Sequence, residues 1–421
     1  MKNTRTIYAF ISLFLALVIG VSLYWMPDNP SYIATGENEF SLLDSSRATP
    51  YSIHVAVDAC NSYAFKQYQQ YRDTEESNIF FSPYSISTCL SMVYEGARGE
   101  TAEEMQQVFE WSENPDLRLP STANIYNKLN DPENNCTVRS ANSVWAQEDY
   151  PFNEEYINIL ETGYGGKAVN IDFGRSEEAR KQINAWVENR TNNNIKDLFE
   201  EGMITSDARR VLTNALYFKG DWKQKFEAGK TRELLFNISR SEQVSVDMMF
   251  LRDRWFNYTE NDLVQVLEMD YSGGDYSMVI LLPWETGLDA VENSIDHESF
   301  SALIDDLEPH EMILSVPRFT VETKYVMNTG LSELGMSKAF TSSADFSGVT
   351  LEDDLWLDIV VHQTYISVTE NGTEAAAATG ASYVMSMPSG VRFRVDHPFM
   401  FAILEKETGL ILFMGRVVDP S

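Results

Sequence analysis

A run of small residues, from Glu370 to Thr379, constrains the fold of this chain more than any other stretch. It reads E-N-G-T-E-A-A-A-A-T and lies between two apolar, strand-like segments, residues 356–368 and 391–404. Small residues of weak strand propensity between two strands predict an exposed loop. A linker or the start of a helix is the ordinary alternative for an alanine-rich segment of this kind.

This run also has a face that could enter a β-sheet. Alternate residues of an extended chain lie on opposite faces. One face carries small side chains and a single large one: Thr373, Ala375, Ala377, Thr379, Ala381 and Tyr383. The other face carries Glu374, Ala376, Ala378, Gly380 and Ser382. The first face is narrow enough to pass between two existing strands, while the second could face solvent.

The composition allows a large hydrophobic core and argues against polyanionic partners. Hydrophobic residues make up 43% of the 421 residues, and 32 Lys and Arg against 63 Asp and Glu give a formal charge of -31. Such a surface repels phosphate backbones and anionic lipid, so we expect no nucleic acid and no heparin-like partner. The three cysteines, Cys60, Cys89 and Cys136, contain no C-x-x-C spacing, and we expect buried free thiols and no metal site.

The amino-terminal segment is long and apolar enough to cross a bilayer. Residues 7–26 carry no charge and follow Lys2 and Arg5. No A-x-A-like cleavage site precedes Pro27, so we favour an uncleaved signal anchor over a cleaved signal peptide, with residues 1–26 as this segment. The positive flank predicts that the rest of the chain lies on the extracellular face, anchored or secreted. Residues 27–50 then form a flexible linker, and residues 51–421 form the folded domain.

Several motifs, taken in order, resemble those of one family. They are N-x-F-x-S-P-x-S-I from Asn78 to Ile86, N-x-x-x-F-K-G-x-W from Asn214 to Trp222, and E-x-G-T-E-A-A-A-A-T from Glu370 to Thr379. The chain resembles the serpins, a family of serine protease inhibitors, over residues 51–421. The resemblance implies an α+β protein with the serpin fold, about eight to nine helices around three β-sheets, and an exposed reactive-centre loop. The order of predicted elements, helices early and strands late, also favours the α+β class.

The resemblance assigns three groups of site residues. The hinge of the loop, residues 370–381, includes Glu370, Gly372, Thr373, Glu374, Ala375, Ala376, Ala377, Ala378 and Thr379. The family's shutter, a hydrogen-bonded cluster beneath the central sheet, matches Ser82, Ser85, Asn214 and His362. The breach, where the loop enters the sheet, matches Trp222, Arg318 and Glu370. We expect that folding of the uncleaved protein does not require the hinge to be buried.

The reactive bond follows from counting along the loop. In the family's usual loop the bond lies after the seventeenth position, counting Glu370 as the first, which gives Ser386-Met387. A loop shorter by one residue would use Met385-Ser386, whereas cleavage after Met387 is disfavoured by Pro388. Met or Ser before the bond suits elastase-, chymotrypsin- or subtilisin-type serine proteases and disfavours trypsin-like ones.

The sequence carries no motif of an ordinary enzyme. We find no G-x-S-x-G elbow, H-E-x-x-H, P-loop or dinucleotide fingerprint, and we expect neither catalysis nor a cofactor. The resemblance predicts a monomeric suicide-type inhibitor that traps the acyl-enzyme by inserting its cleaved loop into the central sheet. The alternatives are a non-inhibitory serpin acting as a carrier or chaperone, and a membrane-tethered adhesion module.

Overall fold

The computed structural model describes residues 42–140, 142–148, 151–208, 210–284, 287–350, 355–374 and 390–421. The predicted anchor, residues 375–381 of the hinge and the predicted reactive bond lie outside these ranges. Within them, every helix is too short or too polar to cross a membrane. The segment Leu42–Ser421 forms one compact unit.

Nine α-helices occur in the described part of the chain, most of them in its first half. They are α1 Pro50–Thr74, α2 Pro83–Tyr94, α3 Gly99–Phe109, α4 Pro115–Leu129, α5 Glu154–Ile159, α6 Ser176–Arg190, α7 Leu288–Ser294, α8 His297–Asp305 and α9 Asn328–Leu331. Local chemistry sets where α2 begins, because the Ser82 hydroxyl accepts a hydrogen bond from the Ser85 amide at 3.1 Å and Pro83 occupies the first turn.

Sixteen strands alternate with these helices and dominate the second half of the chain. They are β1 Ile79–Phe81, β2 Thr137–Ser140, β3 Ser143–Gln147, β4 Lys167–Ile171, β5 Arg210–Asp221, β6 Arg232–Asn237, β7 Gln243–Glu260, β8 Val264–Asp270, β9 Tyr276–Pro283, β10 Glu308–Pro317, β11 Phe319–Val326, β12 Ile359–Val368, β13 Gly372–Thr373, β14 Val391–Arg394, β15 Phe399–Glu405 and β16 Leu410–Val417.

The strands pair into two continuous sheets. The central sheet has seven strands, in the order β11-β12-β13-β5-β3-β4 with β2 also on β5. The other has nine, in the order β1-β16-β15-β9-β8-β7-β10-β14 with β6 on β7. Two of the three predicted sheets are continuous because β7, 18 residues long, pairs with β6, β8 and β10. The α+β class is confirmed.

A hydrophobic core fills the space between the two sheets. One cluster of buried side chains combines Phe218 and Trp222 of the central-sheet region with Phe401 and Phe413 of the other sheet. A second cluster packs helices α1 to α3 against both sheets. All three cysteines are buried and free, as the sequence predicts.

Candidate functional site

The central sheet is partly split between β5 and β12. These strands pair directly, in parallel, from Ile359 opposite Val211 to Gln363 opposite Ala215. Towards the loop they separate, and β13 lies between them, antiparallel to both. Between these two zones, residues 364–367 and 216–219 pair with no strand across the split in the described part of the chain, although the Ser367 carbonyl accepts a hydrogen bond from the Glu374 amide at 2.9 Å. Among the described residues, the sheet therefore has an opening that is closed at one end and occupied by the start of the loop at the other.

The first hinge residues already lie inside the central sheet. Thr373 pairs with Val368 on one side and with Gly220 on the other. Its side chain is 1% exposed, and its hydroxyl lies 2.8 Å from the Tyr271 hydroxyl. The small side chain at this position is what fits a site enclosed by both strands and the core.

Gly372 is required by the same close approach. Its φ of 153° lies in a region that favours glycine, and a Cβ atom there would lie 2.0 Å from the Gly220 carbonyl oxygen. A side chain at this position would collide with the backbone of β5. The glycine of the hinge motif thus lets the loop enter the sheet.

An ion pair and hydrogen bonds from side chains hold the end of β12 at the predicted breach. Arg318 donates to the two carboxylate oxygens of Glu370 at 2.8 and 2.5 Å, and Thr231 donates to the same carboxylate. Burial acts to raise the pKa of Glu370, but the bonds from Arg318 and Thr231 outweigh it and hold the pKa below its ordinary value. Trp222 donates its indole N–H to the Thr369 carbonyl at 2.9 Å and stacks on Tyr271. The predicted breach residues are therefore brought together.

Glu374 marks the point where the described hinge leaves the sheet. Its backbone has a φ of 59°, uncommon for a residue with a side chain. The Asn194 amide donates to its carboxylate at 3.2 Å, and the side chain is half-buried. Burial raises the pKa of Glu374, and the bond from Tyr217 and the charge of Lys219 offset this only in part. The periodicity placed Glu374 on the outward face, and the carboxylate lies beside the loop that follows α6.

The predicted shutter residues meet at the closed end of the opening. The side chain of His362 on β12 hydrogen-bonds Asn214 on β5, and Asn214 donates to the Ser85 hydroxyl at 2.9 Å. The Ser82 amide donates to His362 Nε2 at 3.0 Å, so the ring proton lies on Nδ1, towards Asn214. Burial lowers the pKa of His362 to about 3, and the ring is neutral at ordinary pH. This network joins β12, β5 and the start of α2.

Three residues of this site have no sequence signal that we could have used. All three contact the hinge from other parts of the chain: Tyr271 follows β8, Thr231 precedes β6, and Asn194 follows α6. None belongs to a motif, and each is distant from the hinge along the chain. The residues predicted for the rest of the hinge and for the reactive bond lie outside the described ranges. No group of residues suited to a metal ion occurs among the described ones.

The described central sheet is therefore split between β5 and β12, with the first hinge residues lying in the split. Residues 58–420 match the model of the family Serpin (serine protease inhibitor). An uncharacterized serpin-like protein of Thermococcus kodakarensis is 38% identical over 93% of this chain and 91% of its own length. Leukocyte elastase inhibitor A of Mus musculus is 37% identical over 85% of this chain and 97% of its own. The chain belongs to the serpin family.

Solved structures agree with this assignment. Serpin48 of the insect Tenebrio molitor superposes with a TM-score of 0.79 at 34% identity, covering 87% of this chain and 98% of its own. Human thyroxine-binding globulin complexed with its ligand gives 0.80 at 27% identity, covering 88% and 100%. Members of the family are generally protease inhibitors rather than enzymes and typically target serine proteases, while some relatives are carriers.

Proposed function

We propose that this protein is a suicide-type inhibitor of serine proteases, which traps the acyl-enzyme by inserting its cleaved loop into the central sheet. The observation that carries the proposal is the register of β13. Thr373 pairs at once with Val368 of β12 and Gly220 of β5, and those two residues differ in number by 148. The direct parallel pairs of β12 and β5 differ by the same amount, since Ile359 lies opposite Val211.

This agreement means that the strand need only lengthen to fill the opening. Each residue after Thr373 would move one position down both neighbouring strands in the same register. Thr379 would then lie between His362 and Asn214, and Ser382 between Ile359 and Val211. The loop is long enough to reach the end of the β5–β12 interface before its predicted reactive bond.

Insertion replaces a short direct pairing with two longer ones. The five pairs from Ile359–Val211 to Gln363–Ala215 would separate, and the hydrogen bond between His362 and Asn214 would be lost. In exchange, the incoming residues would form ladders with both strands, each net hydrogen bond contributing about 0.5 to 1.5 kcal/mol. The face that follows Thr373 inward is small as far as Ala381, which lowers the steric barrier to entry. The protease, still joined to the loop as an ester, would be carried with it before water could release it.

We propose that the reactive bond is Ser386-Met387 or Met385-Ser386. The target is then a protease of the elastase, chymotrypsin or subtilisin type. The similarity to a leukocyte elastase inhibitor supports this class of target. We further propose that the inhibitor acts as a monomer on the extracellular face, attached to the membrane through residues 7–26 or secreted.

Incubation of residues 42–421 with subtilisin, chymotrypsin and trypsin tests the proposal. We expect the first two to yield a complex that survives boiling in detergent, and trypsin to yield none. Mass spectrometry of the released carboxyl-terminal peptide identifies the cleaved bond, because this peptide should begin at Met387 or Ser386. Cleavage in the loop with full recovery of protease activity would contradict trapping and would favour a non-inhibitory carrier or chaperone.

A further inference from the structure

A cavity of about 1160 Å³ lies beside the nine-stranded sheet, away from the opening in the central sheet. Its walls come from the end of α1, the turn between β6 and β7, the end of β9, α7, β14 and β16. Its apolar wall includes Leu282, Trp284 and Leu288, and Trp284 is 39% exposed. Charged and polar side chains form most of the remaining lining, so the cavity suits a ligand that has both an apolar body and a charged group.

The rim on the β14 side is positively charged, although the chain as a whole carries -31. Arg392 and Arg394 lie two residues apart on β14, and Arg240 lies on the turn between β6 and β7. That turn is held beside the residues after β14, because Asn237 donates through its amide side chain and its main chain to the Asp396 carbonyl. Arg394 pairs with the Asp396 carboxylate at 2.9 Å, whereas Arg240 and Arg392 form no ion pair with any described residue.

Most other charged side chains of the cavity pair with one another. Arg416 pairs with Glu292, and Arg72 pairs with Asp73, so these four largely cancel. Two further carboxylates line the cavity from the helical side, Glu76 after α1 and Asp289 in α7. The cavity is therefore polarised, with positive charge on the strand side and negative charge on the helix side.

Gln265 supplies a further polar group to the cavity. This residue of β8 is 7% exposed, and its side-chain oxygen lies 3.3 Å from the Tyr258 hydroxyl. That hydroxyl donates its proton to Glu260, so the Gln265 side chain is available to hydrogen-bond a ligand.

We propose that this cavity binds a small amphipathic organic anion, an aromatic or aliphatic body bearing a carboxylate or sulfonate. The apolar body would lie on Trp284 and Leu288, and the anionic group would contact Arg240 and Arg392. The strong negative charge of the remaining surface disfavours extended polyanions, so the ligand must fit within the cavity. Since β14 is the edge strand paired with β10, the bound anion would also hold this strand in place.

The site is tested with two fluorescent probes of the same aromatic body, anilinonaphthalene sulfonate and the uncharged phenylnaphthylamine. We expect the anionic probe to bind more tightly, and Arg240→Gln with Arg392→Gln to weaken it on the order of tenfold while leaving the neutral probe nearly unchanged. The matched control is Arg252→Gln with Arg254→Gln, two exposed arginines of β7 that do not line the cavity.

Quenching of tryptophan fluorescence by the bound probe locates the site. Trp284→Phe should remove most of that quenching if the probe lies in this cavity. Equal affinity of the anionic probe for wild type and the Arg240/Arg392 double variant would overturn the proposal, as would full quenching in Trp284→Phe. Both measurements are made on uncleaved protein and do not depend on protease trapping, and circular dichroism checks that the variants fold.

Discussion

Replacing Thr373 by arginine tests whether the described hinge is the first segment of the inserting strand. The threonine is 1% exposed, and its hydroxyl lies 2.8 Å from that of Tyr271. An arginine there would have to bury an unpaired guanidinium or leave the sheet. Removing one partner from a buried charged pair costs about 3 to 5 kcal/mol, and we take the lower value for a charge that partly escapes to solvent.

That cost acts on both the uncleaved and the cleaved protein. In the uncleaved variant this cost releases Gly372 and residue 373 from β5 and β12, so the amide of residue 373 loses its protection from hydrogen exchange. After cleavage, a penalty of about 3 kcal/mol in the transition state for insertion slows that step on the order of 100-fold. Hydrolysis of the acyl-enzyme then wins, because its rate depends on the protease and not on the hinge.

The assay is the number of inhibitor molecules consumed for each protease molecule inactivated. We expect this number to rise steeply for Thr373→Arg while the rate of loop cleavage stays close to that of wild type. Ala376→Arg is the matched control, since residue 376 falls on the opposite face of the strand by the period of two. Trapping by Thr373→Arg as efficient as that of wild type, or equal losses in both variants, would refute the argument from register and face.

Three further outcomes follow from the same site. Burial in the docked hinge raises the pKa of Glu374, so docking is favoured when this carboxyl is protonated and weakens as the pH rises through the raised pKa. Hydrogen exchange of the hinge amides, corrected for intrinsic rates, should show this pH dependence, and Glu374→Gln should abolish the pH dependence. Protein nicked in the loop without trapping should unfold roughly tens of degrees higher than intact protein by calorimetry, because the added strand extends the sheet, and an unchanged midpoint would contradict insertion. Asn371 begins an N-x-T sequon, but it is 8% exposed and its carbonyl accepts a hydrogen bond from the Trp222 amide, so peptide mass spectrometry of protein from a glycosylating host should find Asn371 unmodified. Full glycan occupancy of Asn371 together with full inhibition would show that the docked hinge is dispensable.

Much of the site could be predicted because its residues belong to local motifs. Ser82 followed by Pro83 specifies a helix start from neighbouring atoms alone, and the structure has the cap there. The period of two after Thr373 identifies an inward face, and the described Thr373 does point into the core. Arg318 and Glu370, distant in sequence, could be paired in advance only through the resemblance to a family.

The docked hinge could not be predicted, since its stability depends on contacts between distant segments. Thr373 meets Gly220 on one side and Tyr271 beneath. Gly220 belongs to a motif that does not indicate this contact, and Tyr271 belongs to none. The polarised cavity has the same origin, because its walls come from helices, strands and a turn separated along the chain. Local sequence determined the elements and the face that can be inserted, whereas the positions of hinge, opening and cavity were decided by packing, because pairing and burial act between residues that only the folded chain brings together.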